Sequence, residues 1–328
     1  MDDKEKLGVI KRNTVEIIEE QELAELLGAA GAAKGKTKPV VYCGYEPSGP
    51  IHIGHLVTIT KLMDFAKAGF KVKVLFADWH AWLNKKGDWD FIEKQVKEWE
   101  NGFKMVGLDE NAGDVEYIVG SSFQRSNEYM DDVLRLSLNI TLNRALRSMQ
   151  QVGRDIENAH VSQIIYPLMQ IADMKHLGVD VAYGGIEQRK IHMLAREVMK
   201  DIDYKTPICV HTPLISNLTG QEGKMSSSDK EGMISILDDA AAIKQKIKKA
   251  YCPEGAKENN PTLEITRLVV FPRIDSFEVK RPEKFGGNAS YSSYEELEKD
   301  FTEKKLHPMD LKASVSEYLS DIMEKIKK

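Results

Sequence analysis

Residues 40–55 read VVYCGYEPSGPIHIGH, and the fold turns on what this stretch does. Two valines, a tyrosine and a cysteine make a short buried strand. Pro47, Ser48, Gly49 and Pro50 force a turn, after which His52-Ile53-Gly54-His55 opens a helical pattern. The turn therefore delivers two imidazoles to a helix N-terminus, where unpaired backbone N–H groups and partial positive charge suit an anion. Gly54 permits close approach of a bulky ligand to the backbone, and a nucleotide triphosphate is the natural guest. Two histidines at a helix start also serve elsewhere as plain solvated caps, so the remainder of the chain has to decide.

The chain has 328 residues, room for a full core and two domains. Hydrophobic residues make up 42% and charged residues 30%. No apolar run approaches the ~18 residues of a membrane span. The start, MDDKEKLGVI, is acidic and polar, unlike a signal peptide, so a cytoplasmic location and no membrane contact are expected. Cys43, Cys209 and Cys252 are widely spaced, which argues against a disulfide framework and a zinc site; no resident metal is expected. A formal net charge of −5 leaves any nucleic-acid contact to local patches: Arg144 with Arg147, Arg189 with Lys190, and Lys244, Lys246, Lys248 and Lys249. For each patch a solvated helix face is the commoner alternative.

Apolar positions Val15, Ile17, Ile18, Leu23, Leu26 and Leu27 predict a helix over residues 11–28, ended by Gly28, with a flexible connection over 28–39. Helix 53–68, strand 72–77, helix 89–106 and strand 115–119 follow the opening strand. That alternation predicts a parallel α/β sheet with right-handed crossovers, whose ligands bind beyond the strand C-terminal ends, where residues 44–55 and Asp78-Trp79-His80 fall. Residues 126–152 read as one long helical stretch, part of an insertion expected to pack on another surface such as a second subunit. Helix 161–176, strand 179–183, helix 186–199 and strand 207–211 complete the first part. Residues 217–232, NLTGQEGKMSSSDKEG, read as a mobile loop and domain boundary. Asp238-Asp239 open a lysine-rich helix over 240–251, Ser293 with Glu296 fits a capping box, and an amphipathic helix over 311–326 closes a small, mostly helical domain.

Three features converge: the H-I-G-H element, Lys224-Met225-Ser226-Ser227-Ser228 in a glycine-flanked loop, and a helix that carries Tyr166, Gln170 and Asp173 on one face. In that order and spacing they resemble the signature pair of class I aminoacyl-tRNA synthetases. Over nearly the whole chain GYEPSGPIHIGH, YPLMQIAD, GGIEQRKIHMLAR, GKMSSS, KRPEKFGG and LHPMDLK are similar to the archaeal and eukaryotic branch of tyrosyl-tRNA synthetases. The resemblance implies a Rossmann-like parallel-sheet catalytic domain over residues 1–216 with a helical insertion at about 110–158. A KMSSS loop and linker over 217–237 and a mostly α-helical anticodon-binding domain over 238–328 follow. It implies a homodimer, ATP with Mg²⁺, L-tyrosine and tRNA(Tyr).

The chemistry suits these residue types. A carboxylate attacks the α-phosphorus of ATP and expels pyrophosphate, a step helped chiefly by positioning and by neutralising charge. The resemblance makes His52, His55, Lys224, Ser226, Ser227 and Ser228 the catalytic set and assigns Gly44, Glu46, Gly54 and Met225 to ATP. Ser227 stands where the broader family often has a second lysine. Tyr42 and Asp173 would bind the substrate phenol, and Tyr166, Gln170 and Gln188 its α-amino group. A buried phenol-binding pair rejects phenylalanine by roughly 10⁴ to 10⁵, a figure that comes from tyrosyl-tRNA synthetases themselves. Arg147, Arg189 and Lys190 match positions facing the acceptor end of the tRNA, and Phe285, His307 and Asp310 positions facing the anticodon. Phe285 is otherwise a packing anchor and Asp310 a helix cap. Three rivals stay open: a tryptophanyl enzyme, a small-molecule nucleotidyltransferase and a non-catalytic RNA-binding paralogue.

Overall fold

The stretch that opens the sheet forms strand β2 (Val40–Tyr45), and every other strand of the main sheet is placed by it. A computed structural model describes residues 1–32, 37–153 and 158–327, the side chains of residues 29–32 and Phe285 excepted. Strands β1 (Glu16–Ile18), β3 (Lys71–Phe76), β4 (Val115–Val119), β5 (Val181–Gly185) and β6 (Ile208–Thr212) join β2 in the order β1-β6-β5-β2-β3-β4. All pairings are parallel except the antiparallel edge β1 on β6. Val41, Tyr42 and Cys43 are all buried, so both faces of β2 are covered, as an all-parallel interior requires. From β2 the chain builds outward through β3 to β4, then returns to β2's other side with β5. The order thus reverses between β2 and β5, where the C-terminal strand ends diverge around a crevice.

Local chemistry departs from the sequence expectation in several places. Residues 11–28 are not one helix: Asp3–Lys11 is a helix with an Asp2/Glu5 capping box, β1 follows, and a second helix runs over Glu20–Ala32. Asn13 and Glu19 take positive φ on either side of β1, and Ile17 and Ile18 pair with Val210 and Cys209. β-branched residues beside an available sheet edge take the extended form despite their helical spacing. Gly28 lies inside that second helix; of the connection expected over 28–39, residues 33–36 lie outside the described residues. Residues 126–152 are two helices, Asn127–Asn139 and Leu142–Met149, because Ile140 is extended and Thr141 caps the second through a bond from Arg144 N. Asp78 and His80, expected just past a strand, sit in the short helix Asp78–Leu83.

The chain divides into two compact units, residues 1–48 with 61–213, and residues 49–60 with 214–328. The first holds the six-stranded sheet. The second holds the helices Ala240–Lys249, Pro261–Ile265, Tyr294–Thr302 and Pro308–Lys327, and an unexpected antiparallel pair, β7 (Phe277–Val279) with β8 (Ala289–Tyr291). Asp239 caps the lysine-rich helix as expected. At the next cap Ser293 Oγ accepts from Glu296 N, but the Glu296 carboxylate turns to Ser292, leaving half a capping box. Among the described residues no helix is long and apolar enough to cross a membrane.

Candidate active site

In the first unit the helix Val161–His176 turns Tyr166, Gln170 and Asp173 inward, and all three are buried. Spacings of four and three put them on one face, and that face meets Tyr42 of β2. Tyr42 hydrogen-bonds to Gln170, and Gln170 Nε2 donates to Gln188 Oε1 at 3.2 Å. Burial first, and then the Asp173 charge, hold the Tyr42 phenol well above its usual range. Tyr42, Tyr166, Gln170, Asp173 and Gln188, from a strand, a helix and the turn after β5, thus share one polar cluster.

Asp173 is its most perturbed carboxyl. Oδ1 accepts from Gln124 Nε2 at 2.7 Å and lies 2.8 Å from Tyr129 Oη, which is also 2.8 Å from Met169 O. The one phenolic proton is thus shared between two acceptor oxygens. Burial pushes the Asp173 carboxyl up to about 7, against the lowering bonds from Gln124 and Tyr129. Asp173 Oδ2 and Gln124 Oε1 are buried without a hydrogen-bond partner, and His80 Nε2 is 3.6 Å from Oδ2. Burial pushes His80 down to about 3, so it is neutral. Unpaired buried polar atoms cost about 1–3 kcal/mol each. Their convergence suits a ligand that brings one small group able both to donate and to accept.

Gln124, Tyr129, His80 and Asp78 carried no individual assignment in the sequence. Asp78 Oδ1 accepts from Trp79 N and Ser121 N at 2.8 and 2.9 Å, tying the helix after β3 to the turn after β4. A Cβ on Gly120 would sit 2.6 Å from Gln124 Oε1 and 2.9 Å from Asp78 Oδ1, so a side chain there would displace both polar groups. The sole sequence signal was the position of Asp78 and His80 at a strand's C-terminal end. Glu46 belongs to this unit as well: it accepts from Asn84 Nδ2 at 3.0 Å, pairs with Lys86 at 3.3 Å and hydrogen-bonds Tyr166. Gly44 lies on β2.

In the second unit the turn 49–55 meets the loop 217–232. His52 N donates to His55 Nδ1 and Gly54 N to His52 Nδ1, each at 3.1 Å. Both Nδ1 atoms are acceptors, so both neutral rings carry their proton on Nε2, a donor suited to a phosphate oxygen. Burial, with the Lys224 ammonium adding to it, pushes His52 down to about 3. Burial, then His52 and Lys224, hold His55 well below its usual range. A Cβ on Gly54 would lie 2.8 Å from the His52 ring, which fixes glycine there. Lys224 pairs with Ser216 in an isolated bridge, and Met225 N donates to Ile215 O at 2.8 Å. Within the loop Asn217 donates from N to Gly223 O and from Nδ2 to Asp229 Oδ2. Ser227 Oγ donates to Pro50 O at 3.1 Å, and the Ser226 and Ser228 hydroxyls lie 3.0 Å apart. His52, His55, Gly54, Lys224, Met225 and the three serines are therefore neighbours.

The remaining residues form two groups. Lys190 Nζ donates to Gln150 Oε1 at 2.6 Å, and Gln150 lines an open surface depression with exposed Arg147. Arg189 instead pairs with Glu16 at 2.6 Å. In the second unit exposed His307 accepts from Met309 N at the start of Pro308–Lys327, which Asp310 follows in its first turn. Phe285 ends the short turn Glu283–Phe285; its side chain lies outside the described residues.

A family described as "tRNA synthetases class I (W and Y)" matches residues 34–324. A protein of Methanosarcina barkeri named tyrosine–tRNA ligase is 48% identical over 324 residues, 99% of both chains. A tyrosyl-tRNA synthetase of Archaeoglobus fulgidus, solved in complex with L-tyrosine, superposes with a TM-score of 0.92 at 47% identity over 99% of both chains. A tryptophanyl-tRNA synthetase of Aeropyrum pernix shares the fold, with a TM-score of 0.72, 20% identity, and 93% of this chain and 81% of that one covered.

Proposed function

This chain belongs to the class I tRNA synthetases (W and Y), in the tyrosyl branch, and we propose that it joins L-tyrosine to tRNA(Tyr) at the expense of ATP. In the first step a tyrosine carboxylate oxygen bonds to the α-phosphorus while the bond to pyrophosphate breaks, leaving tyrosyl-adenylate. In the second a hydroxyl of the tRNA's terminal ribose attacks the aminoacyl carbonyl, and AMP departs. The observation that carries this reading is the polar cluster of buried Tyr42, Gln170 and Asp173 with half-buried Gln188 at the reversal of strand order.

Within that cluster Tyr42 and Asp173 hold the phenol, and Tyr166, Gln170 and Gln188 the α-amino group. An indole has one N–H and no phenolic oxygen, so it leaves Asp173 Oδ2 and Gln124 Oε1 less well served than tyrosine does. The Nε2–H groups of His52 and His55, with Lys224 and the hydroxyls of Ser226, Ser227 and Ser228, act on the phosphates as charge moves onto pyrophosphate. Gly44, Glu46, Gly54 and Met225 complete the ATP contacts. Ser227, in place of a lysine, adds no positive charge, and Mg²⁺ brought with the nucleotide would supply it. Residues 1–216 act as the catalytic domain with its insertion at about 110–158, 217–237 as loop and linker, and 238–328 as the anticodon domain, through Phe285, His307 and Asp310. Arg147, Arg189 and Lys190 serve the acceptor end.

We also place the chain in the cytoplasm as a homodimer. Met130, Leu134 and Leu138 recur every four residues on the helix Asn127–Asn139, and all are exposed, Leu138 by 83%. Such a stripe is costly in water unless a second copy covers it.

Tyrosine-dependent exchange of pyrophosphate into ATP, repeated with tryptophan and phenylalanine, tests the activity. Exchange with tyrosine alone is expected. No exchange with any of the three overturns the enzyme reading, and exchange with tryptophan alone moves the chain to the sister branch.

A further inference from the structure

Three tryptophans stand together in the first unit. The Trp82 and Trp89 rings are 23° from parallel with centroids 5.7 Å apart, and Trp79 meets them edge-on at 5.3 and 5.1 Å. The Arg125 guanidinium lies 5.5 Å over Trp79 and 5.9 Å over Trp89. A cluster built only for stability would close over its rings. Here Trp82 stays 41% exposed and the adjoining Phe91 39%, while Arg125 and Lys85 are exposed beside them.

Position gives this surface a task. Trp79 and Trp82 share the helix Asp78–Leu83 with Asp78 and His80, and the next residue, Asn84, donates to Glu46 beside Tyr166. Ser162 Oγ donates to Leu83 O at 3.0 Å, fastening this helix to the one that carries Tyr166, Gln170 and Asp173. Lys85 Nζ lies 2.9 Å from His160 Nε2 at that helix's N-terminus. The aromatic face therefore borders the amino-acid pocket. The second step of the proposed reaction must bring an unpaired RNA end to that pocket, and unpaired bases are held by stacking on aromatic rings beside cations that meet the phosphates.

We infer that the Trp82–Trp89 face, with Arg125 and Lys85, is a stacking platform for the unpaired 3′-terminal nucleotides of the tRNA. This rests on the tRNA ligase reading above and adds a site to it. The exposed indole of Trp82 takes a base face to face, Trp89 supports it from within, and the two cations meet the neighbouring phosphates.

The test compares binding of intact tRNA(Tyr) and of the same tRNA trimmed of its last three nucleotides. Trp82→Ala is expected to weaken intact tRNA about tenfold, the scale of one lost base–aromatic stack, and trimmed tRNA less than about twofold, which is within ordinary surface-substitution effects. Trp82→Leu, apolar but without a π-face, should behave as Trp82→Ala, and Trp82→Tyr should restore most of the affinity. Equal weakening of both RNAs, no weakening of either, or wild-type affinity in Trp82→Leu overturns the platform. Pyrophosphate exchange run in parallel separates the two ideas. Its absence in the wild-type chain refutes tyrosine activation, while the contrast between intact and trimmed tRNA still decides the platform.

Discussion

The amino-acid pocket of the first unit and the histidine–serine turn of the second solve opposite electrostatic problems. The proposed pocket is lined by side-chain atoms held out of water: Asp173 is fully buried, its carboxyl pushed up to about 7 and one oxygen unpaired. The turn is built from backbone. Its two imidazoles are oriented by main-chain N–H groups, and its serines bond to one another and to a carbonyl. Recognition of a single hydroxyl needs a low dielectric, in which a missing partner is expensive. Handling a polyphosphate needs several donors held in a fixed array as charge develops. Disruption should therefore cost selectivity in the first region and rate in the second.

The largest expected effect breaks the pocket. Asp173→Ala should lose most of the preference for tyrosine over phenylalanine, roughly 10³-fold or more on the scale known for tyrosyl enzymes, measured as the ratio of kcat/KM in pyrophosphate exchange. Preserved selectivity would move the phenol site elsewhere. His52→Ala should lower kcat for exchange about 10²- to 10³-fold, as expected for loss of one preorganised donor, with selectivity unchanged. A changed selectivity ratio would erase the distinction between the regions.

Acid and base should act on the two regions with opposite signs. His52 titrates at about 3 when folded and near 6.5 when unfolded. The unfolded chain takes up that proton first, so its contribution is complete above about 6.5 and fades as pH falls toward 3. Asp173 titrates at about 7 when folded and near 4 when unfolded. Its folded form holds the proton longer, so that contribution is complete below about 4 and fades as pH rises to about 7. Neutral His80 opposes Asp173 within the same unit, so the comparison of wild type with Asp173→Asn isolates the carboxyl. Urea midpoints from pH 4.5 to 7.5 should show the variant gaining stability over wild type, on the order of 1–3 kcal/mol, as pH rises. A constant difference would place Asp173 in a wetter site.

The smallest effects concern how the turn is held. Gly49 has φ of +152°, and an added Cβ would lie 2.9 Å from Ser227 Cβ. Gly49→Ala should cost about 1–3 kcal/mol in thermal unfolding. Ser227→Ala removes only its bond to Pro50 O and should cost about 1 kcal/mol or less. The reverse order would mean that the loop is held by the hydroxyl and not by close approach of the two backbones.

Legibility in the sequence followed locality. Strand β2, its proline–glycine turn and the H-I-G-H helix start could be read because turn chemistry and period act over a few residues. So could Tyr166, Gln170 and Asp173 as one helix face, and Asp239 as a cap. Residues 11–28 could not, because a sheet edge 190 or so positions away in the chain claims the extended form for Glu16–Ile18. Nor could Gln124 and Tyr129, which come from a turn and a helix whose sequence periodicity signals only packing, yet whose polar ends meet Asp173.

The sequence by itself determined the α/β alternation, the family and the residue types on the two chemical elements, since these rest on short-range pattern and motif. Only the tertiary structure decided which nitrogen of each histidine carries its proton, that Asp173 titrates near neutrality, and that three tryptophans present an exposed face beside the pocket. Those properties depend on burial and on partners distant in the chain. Desolvation and hydrogen bonding are fixed when the elements pack, and no local pattern records them.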